Sequence, residues 1–424
     1  MAISAGYFPD TYKKALMIFI PKGTASQYQI QNYRPISLLD IQSKLLDKIL
    51  TNRLKTHLDR HNIHNSRQHG FRAFRGTDTA LGIFYEQICN HFSNRETIDV
   101  VLRDVSKAFD KVWHDGLKFK ILNINLHNCF TRTIANYLDD RTASIQIGNT
   151  IGPSFNLLSG VPQGACLSPT LYNLFTHDMP EPLPWTNYIA FADDITQITS
   201  GRHPPRYASQ LTAHAIQQVN NFENQWKIQT NISKFTVFPI SRNKTVAINT
   251  LDGQNTIQYS NQGKILGLNI TKIGIGKQVG IRKAIARKNL AQLYRFKNLK
   301  PSNKLKLYNA LVRSALIYPI VPLNTLSKTS MIELQRIQNL GLRFITNTNI
   351  LDFVSSEDLH QQVNLKPINI IIHNQAADIW TKIRQHLPLE YNDLIANVGP
   401  RQAHYRFNSS RTLAESPAPD PIYR

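Results

Sequence analysis

Tyr188-Ile189-Ala190-Phe191-Ala192-Asp193-Asp194 is the stretch on which the reading of the fold turns. A short apolar run, suited to a buried strand, leads straight into two adjacent carboxylates. Charges beside such a run are costly unless they are paired or hold a cation. Strand–turn–strand geometry would present both at one tip, although an Asp-Asp pair on its own is also an ordinary solvated turn. A second stretch changes the balance. Val100-Val101-Leu102-Arg103-Asp104 is another apolar strand that stops at an aspartate. Carboxylates from two separate strand ends are the simplest scaffold for two Mg²⁺ ions in metal-assisted phosphoryl transfer. Asp110, a few residues on, reads instead as the cap of a helix starting near Lys111-Val112-Trp113.

Working outward, residues 15–20, 99–104, 144–147 and 188–191 have the composition of strands. Residues 38–54 predict an amphipathic helix with Leu45, Leu46, Ile49, Leu50 and Leu54 on one face. Residues 169–176 predict a helix opened by Pro169. Residues 213–226 predict another, capped by Ser209 or Thr212. Beyond Gly263 the pattern turns helical in three sets: Ile281, Ala284, Ile285 and Leu293; then Leu305, Tyr308, Leu311, Val312 and Ala315, stopped by Pro319; then Leu334, Ile337, Gly341 and Phe344. The proline-rich residues 416–423 predict a flexible tail.

Length and charge set the class. A chain of 424 residues with 42% hydrophobic content holds more than one domain and a real core. Its 49 Lys and Arg against 28 Asp and Glu leave a net charge of +21, which calls for a polyanionic partner. The excess is concentrated: residues 264–347 hold sixteen Lys and Arg against Glu333 alone, a net of +15. Residues 348–424 hold seven against eight, a net of −1. No apolar run approaches a membrane span, and residues 15–20 are too short for a signal sequence. Three scattered cysteines (Cys89, Cys129, Cys166) give neither a disulfide framework nor a Cys-based zinc site, and point to a reducing, intracellular setting.

A set of motifs in fixed order then becomes recognisable. Tyr7-Phe8-Pro9, Phe19-Ile20-Pro21-Lys22, Tyr33-Arg34-Pro35-Ile36-Ser37-Leu38 and Gln68-His69-Gly70-Phe71-Arg72 come first. Asp104 with Phe109 five residues on, Ser159-Gly160-Val161-Pro162-Gln163-Gly164 before Leu167-Ser168-Pro169, and Ala192-Asp193-Asp194 follow. Trp226, Asn231-Ile232-Ser233-Lys234 and Ile265-Leu266-Gly267 complete the series. In that order, across roughly residues 7–345, the chain resembles the reverse transcriptases of non-LTR (LINE-type, jockey-like) retrotransposons.

The resemblance implies an α+β, right-hand polymerase fold with fingers, a palm of antiparallel sheet backed by helices, and a helical thumb. It implies fingers over residues 1–98, shortened at the N-terminus, and a palm over 99–262 with a fingers portion between about 111 and 158. The basic thumb would take 263–347, with 348–424 as a C-terminal extension. The implied activity is RNA-directed DNA polymerisation: two-metal nucleotidyl transfer onto a primer 3′-hydroxyl. Asp104, Asp193 and Asp194 would hold two Mg²⁺ ions, with Mn²⁺ as a substitute, and Lys234 would be the general acid. Lys22, Arg34, Phe109 and Gln163 would bind the incoming nucleotide, Phe109 as a gate against the 2′-hydroxyl. Arg67, Phe71, Arg72, Leu266 and Gly267 would contact template and primer. The partners implied are an RNA template, a DNA primer and deoxynucleoside triphosphates, in the nucleus or a cytoplasmic ribonucleoprotein.

Two features pull the other way. The family normally carries an endonuclease and more of the fingers upstream of the Tyr-Phe-Pro motif. Arg103 stands where the family has an apolar residue, and strand alternation turns it toward the interior, where it needs a partner. The rival expectation is therefore a catalytically inactive, truncated or domesticated nucleic-acid-binding relative. A maturase-like enzyme of the same fold ranks behind both, because residues 348–424 are too short and too weakly basic for its extra domain.

Overall fold

The computed structural model describes residues 2–23, 29–240, 250–252, 255–257, 259–272, 274–397 and 409–423. A short helix, α1 (Ala2–Ala5), precedes two antiparallel strands, β1 (Lys14–Pro21) and β2 (Tyr33–Leu39). Helices α2 (Ile41–Arg60) and α3 (Thr77–Ser93) lead to β3 (Thr97–Asp104). Next come α4 (His114–Leu122), α5 (Asn128–Leu138) and the hairpin β4 (Thr142–Ile147) and β5 (Thr150–Asn156). β4 returns to lie parallel to β1, so these strands form one sheet in the order β2-β1-β4-β5.

The second sheet carries the aspartates. Helix α6 (Leu167–Phe175) precedes the hairpin β6 (Thr186–Phe191) and β7 (Asp194–Gly201). After α7 (Pro205–Gln225), β8 (Thr236–Ile240) completes a sheet ordered β6-β7-β3-β8, antiparallel throughout. Its strands are the apolar runs that the sequence marks out. Val100, Ile198, Phe238 and Ile240 pack on Phe84, Ile88 and Phe92 of α3. Each fully buried side chain of this size contributes about 1.5–3 kcal/mol. On the other face, α7 puts Ile216 over Val101 and Val237. The α+β class and the helix-backed antiparallel sheet match the expectation from sequence.

Small strands β9 (Thr250–Asp252) and β10 (Asn255–Ile257) pair with each other, as do β11 (Gln262–Ile265) and β12 (Leu268–Thr271). The rest is helical. Helices α8 (Gly276–Leu293), α9 (Pro301–Leu307), α10 (Ser314–Leu316), α11 (Ile320–Leu323) and α12 (Lys328–Thr346) come first. They are followed by α13 (Ser356–Val363), α14 (Ile368–His386), α15 (Pro388–Ala396) and α16 (Ser410–Glu415). Among the described residues, no helix is long and apolar enough to cross a membrane.

Several local expectations are corrected. Asp110 does not cap a helix: α4 starts at His114, and the Asp110 carboxylate accepts from Gln163 Nε2 at 2.8 Å. Helix α7 starts at Pro205, ahead of both cap candidates. Thr212 instead lies inside the helix, with its hydroxyl 3.0 Å from both the buried Asp99 carboxyl group and Ala208 O. Helix α2 runs from Ile41 to Arg60 and buries Leu50, Leu54 and Leu58 while Leu45 and Ile49 face outward. Helix α6 opens two residues before Pro169, capped from outside by Asp47, which accepts from Cys166 N at 2.5 Å. Helix α8 buries Val279, Ala286, Leu290 and Leu293, with Ile285 outside. In the tail expected to be flexible, Asn369 Nδ2 donates to Asp420 O at 2.7 Å and Asn339 Nδ2 to Tyr423 O at 3.0 Å.

Candidate active site

The β6–β7 hairpin turns through Ala192 and Asp193, and Asp194 begins the return strand. In register, Asp194 lies opposite Phe191 on one side and opposite Asp104 on the other. Three carboxylates from two strand ends therefore share one tip. The surroundings of Asp193 and Asp194 oppose full ionisation. Burial, then the Asp193 and Asp104 charges, push Asp194 up to about 6. Burial and Asp104 raise Asp193, while Lys234 and Arg34 pull it back. Lys234 arrives from the loop between α7 and β8 and sets Nζ 2.7 Å from Asp104 Oδ2.

Mutual repulsion of hard oxygen donors is what a divalent cation relieves. Among the described residues no group of three acidic, imidazole or thiol side chains is placed to hold a metal ion by itself. The donor set still fits an ion such as Mg²⁺, which takes part of its shell from water and phosphate, because the tip opens on a cleft. That cleft, about 600 Å³, is lined by Asp104, Asp194 and Lys234 on one side and by Gly263, Lys264 and Leu266 on the other.

A pH dependence follows. The folded Asp194 binds its proton more tightly than an unfolded aspartate of about 3.8, so in that window the native state holds more protons. In chelator, stability should fall as pH rises from about 4 through 6, with screening trimming the effect at this partly open site. Thermal unfolding against pH reads it directly. Asp194→Asn should flatten the slope, and a slope unchanged by that substitution would contradict the assignment.

The turn is held by a residue that sequence reasoning took only as part of a motif. Ala192 has φ 56°, in the left-handed region that strains a non-glycine residue. Gln68, 4% exposed, grips both its polar atoms: Oε1 accepts from Ala192 N at 2.8 Å and Nε2 donates to Ala192 O at 3.1 Å. The same Oε1 accepts from Gly70 N at 2.7 Å. His69 N donates to Ala190 O at 2.8 Å, so residues 67–69 run beside β6 as a stub of parallel strand. The clamp spans 124 residues of chain, and no local pattern announces it.

The other expected residues gather on two sides. Arg34, opposite Ile20 in the β1–β2 pair, lies near enough for its charge to act on Asp193. Lys22, at the end of β1, acts likewise on Asp110. Gln163 bonds Asp110 through its side chain, and its carbonyl accepts from Ser37 N of β2 at 2.7 Å. Gly160 takes φ 87° where a Cβ would lie 2.5 Å from Asp110 O, so the turn needs glycine there. Phe109 stacks on Tyr172 with ring centroids 5.2 Å apart and meets the exposed Phe71 edge-on.

Across the cleft, Leu266 and Gly267 form the β11–β12 turn, both with positive φ. Tyr318 OH donates to Leu266 O, and Arg282 Nη2 to Gly267 O at 2.8 Å. Arg67 and Arg72, expected on the template, bond within the protein in the absence of nucleic acid. Arg67 pairs with Glu181 at 2.6 Å, and Arg72 donates to Asn65 O at 2.8 Å. Arg75 is drawn into the C-terminal segment by Glu390 at 2.8 Å.

Comparison with known proteins gives the family. A family model described as reverse transcriptase (RNA-dependent DNA polymerase) matches residues 20–270, more than half of the chain. A probable RNA-directed DNA polymerase from transposon X-element of Drosophila melanogaster is 27% identical over 409 residues, covering 94% of this chain and 45% of that protein. One from transposon BS of the same organism is 27% identical, covering 90% and 43%. The RNA-directed DNA polymerase from mobile element jockey of Drosophila funebris is 27% identical, covering 94% and 44%. The chain thus spans less than half the length of these relatives. Among solved structures, apo telomerase from Candida tropicalis aligns with a TM-score of 0.46 at 12% identity, covering 93% of this chain and 69% of that one.

Proposed function

The chain belongs to the reverse transcriptase family and has its right-hand polymerase fold, and on that premise we propose that it extends a DNA primer on an RNA template, as part of a non-LTR retrotransposon. The observation that carries this reading is the shared tip: Asp194 beside Asp193 and opposite Asp104, with Lys234 Nζ 2.7 Å from Asp104 and a cleft in front.

Asp104, Asp193 and Asp194 would hold two divalent cations, Mg²⁺ or in its place Mn²⁺, which supply charge neutralisation at the attacking 3′-oxygen and the departing pyrophosphate. The residues do the rest. Lys234 swings from Asp104 to give a proton to the leaving pyrophosphate. Lys22 and Arg34 grip the triphosphate, Arg34 as a rigid fork and Lys22 as a point charge. Phe109, braced by Tyr172, closes the space a 2′-hydroxyl would need. Gln163, tethered by Asp110, lies against the incoming nucleotide. The Leu266-Gly267 turn supports the primer end, and exposed Phe71 offers a stacking face to the template. Arg67 and Arg72 shape the template path by holding this loop.

In this reading residues 1–98 are fingers and 99–262 palm, with a fingers portion between about 111 and 158. Residues 263–347 are the thumb, holding the duplex by its phosphates. Not all of its +15 is available for that. Lys304 is fully buried against Phe344 O, Lys283 pairs with Glu333 at 2.7 Å, and Arg282 and Arg343 donate to backbone carbonyls. Each phosphate contact contributes about 0.7–0.9 to the slope of log affinity against log salt, so that slope should be steep yet well short of fifteen contacts.

The test is template-directed synthesis. Given a mixed-sequence RNA, an annealed DNA primer and Mg²⁺, the purified chain should extend the primer to a complementary copy. Withholding one deoxynucleotide should stop it at the matching position. Extension that ignores the template, or none while template binding persists, would contradict the proposal.

A further inference from the structure

We infer that Arg103, a buried cation behind the catalytic strand, is a positioning residue that fixes the loop carrying Lys234 beside Asp104. The inference rests on the polymerase reading above and deepens it. Asp104 and Arg103 are neighbours on β3, so their side chains leave opposite faces of the sheet. Arg103 is 2% exposed. Its guanidinium reaches Glu223 Oε2 at 3.3 Å on α7, Thr230 Oγ1 at 3.3 Å, and the Asn220 side chain. It also lies 5.1 Å from the centre of the Phe235 ring. Thr230 donates in turn to Glu223 Oε2 at 2.6 Å.

The placement of these partners matters. Thr230 and Phe235 bracket the single turn, Ile232–Lys234, that carries the lysine. One buried guanidinium therefore touches both ends of that loop. On the sheet side the loop is sewn to β3 by its backbone: Asn231 N donates to Asp104 O at 2.8 Å, Ser106 N to Gln229 O at 2.7 Å, and Val105 bridges Thr230. The planar fork of Arg supplies several donors in fixed directions, which a Lys or an apolar residue cannot reproduce. The departure from the apolar residue expected at this position is thus built into the site.

Arg103→Met alone would strand the Glu223 charge in the interior and weaken the fold, so it does not isolate the role. The informative variant is Arg103→Met with Glu223→Leu, which removes the buried pair as a unit and leaves Thr230 and Asn220, both partly exposed, to water. Unfolding temperature should change little. Turnover in primer extension should drop about 10–100-fold, with nucleotide KM and template Kd nearly constant, as for supports that orient a reacting group. Made in a Lys234→Ala background, the same pair of changes should cost less than about threefold, because their effect runs through Lys234. Amide exchange at Ser106 and Asn231 should accelerate. Full turnover, or a loss that multiplies independently of Lys234→Ala, would overturn the inference, as would unaltered exchange at those amides. If the unmodified chain does not extend primers at all, the polymerase reading fails. The exchange of Ser106 and Asn231 then decides the positioning role by itself.

Discussion

Asp193→Asn should lower primer extension by about a thousandfold or more, the loss expected when several kcal/mol of charge stabilisation at a transferring phosphoryl group is removed. The substitution keeps the shape of the turn and leaves Gln68 on Ala192. It removes a carboxylate whose charged form is disfavoured by burial and by Asp104. The metal-free variant should therefore be no less stable than the parent at neutral pH, and template–primer affinity should be unchanged. Single-turnover extension, fluorescence anisotropy on a labelled template–primer and thermal unfolding in chelator read the three effects separately. A variant within tenfold of the parent in extension would remove Asp193 from the chemistry.

Gly70→Ala is the second large effect, and it acts without touching a reacting atom. A Cβ at Gly70 would sit 2.4 Å from Ala192 N and 3.1 Å from Gln68 Oε1. Both are fixed parts of the clamp, so the aspartate tip itself has to move. Overpacking of this kind costs about 1–3 kcal/mol of stability. A displacement on the order of 1 Å at reacting groups costs about a hundredfold in rate. The expected result is a folded protein with a lowered melting temperature, nearly normal template binding and extension reduced about a hundredfold. Ala73→Gly in the same loop is the control and should leave extension within a few fold. Normal extension by Gly70→Ala would mean that the tip tolerates displacement and that the clamp is not what sets it.

How much of this was legible follows from sequence distance. Runs of alternating or continuous apolar residues ending in acid gave β3, β6 and the aspartates, because a strand's burial pattern is local. Lys234, Gln163 and the Leu266-Gly267 turn were expected only through the resemblance that the order of the short motifs carries. The supports were not legible. Gln68 meets Ala192 across 124 residues, and Arg103 meets Glu223 across 120. Such partners are chosen by the fold, and a glutamine or an arginine carries no mark of it. Counting charge does not separate cations by exposure for the same reason, since the buried Lys304 and a solvated lysine look alike in sequence. At the tail, composition carried no mark of the contacts that its backbone makes. Asn339 and Asn369 hold its backbone, and Trp380, Ile383 and Ala414 of the C-terminal helices share the core that backs the central sheet.

The central claim is that the three aspartates and Lys234 form a metal-dependent nucleotidyl-transfer site. Its most direct test is single-turnover incorporation of one thymidine nucleotide on poly(rA)/oligo(dT) as Mg²⁺ is titrated from chelator upward. No incorporation is expected in chelator, with a rate that rises and saturates with Mg²⁺, and no recovery by Asp193→Asn at any concentration. Absence of incorporation by the unmodified chain across the whole Mg²⁺ range, with salt-sensitive template binding intact, would contradict it and leave a nucleic-acid-binding relative without catalysis.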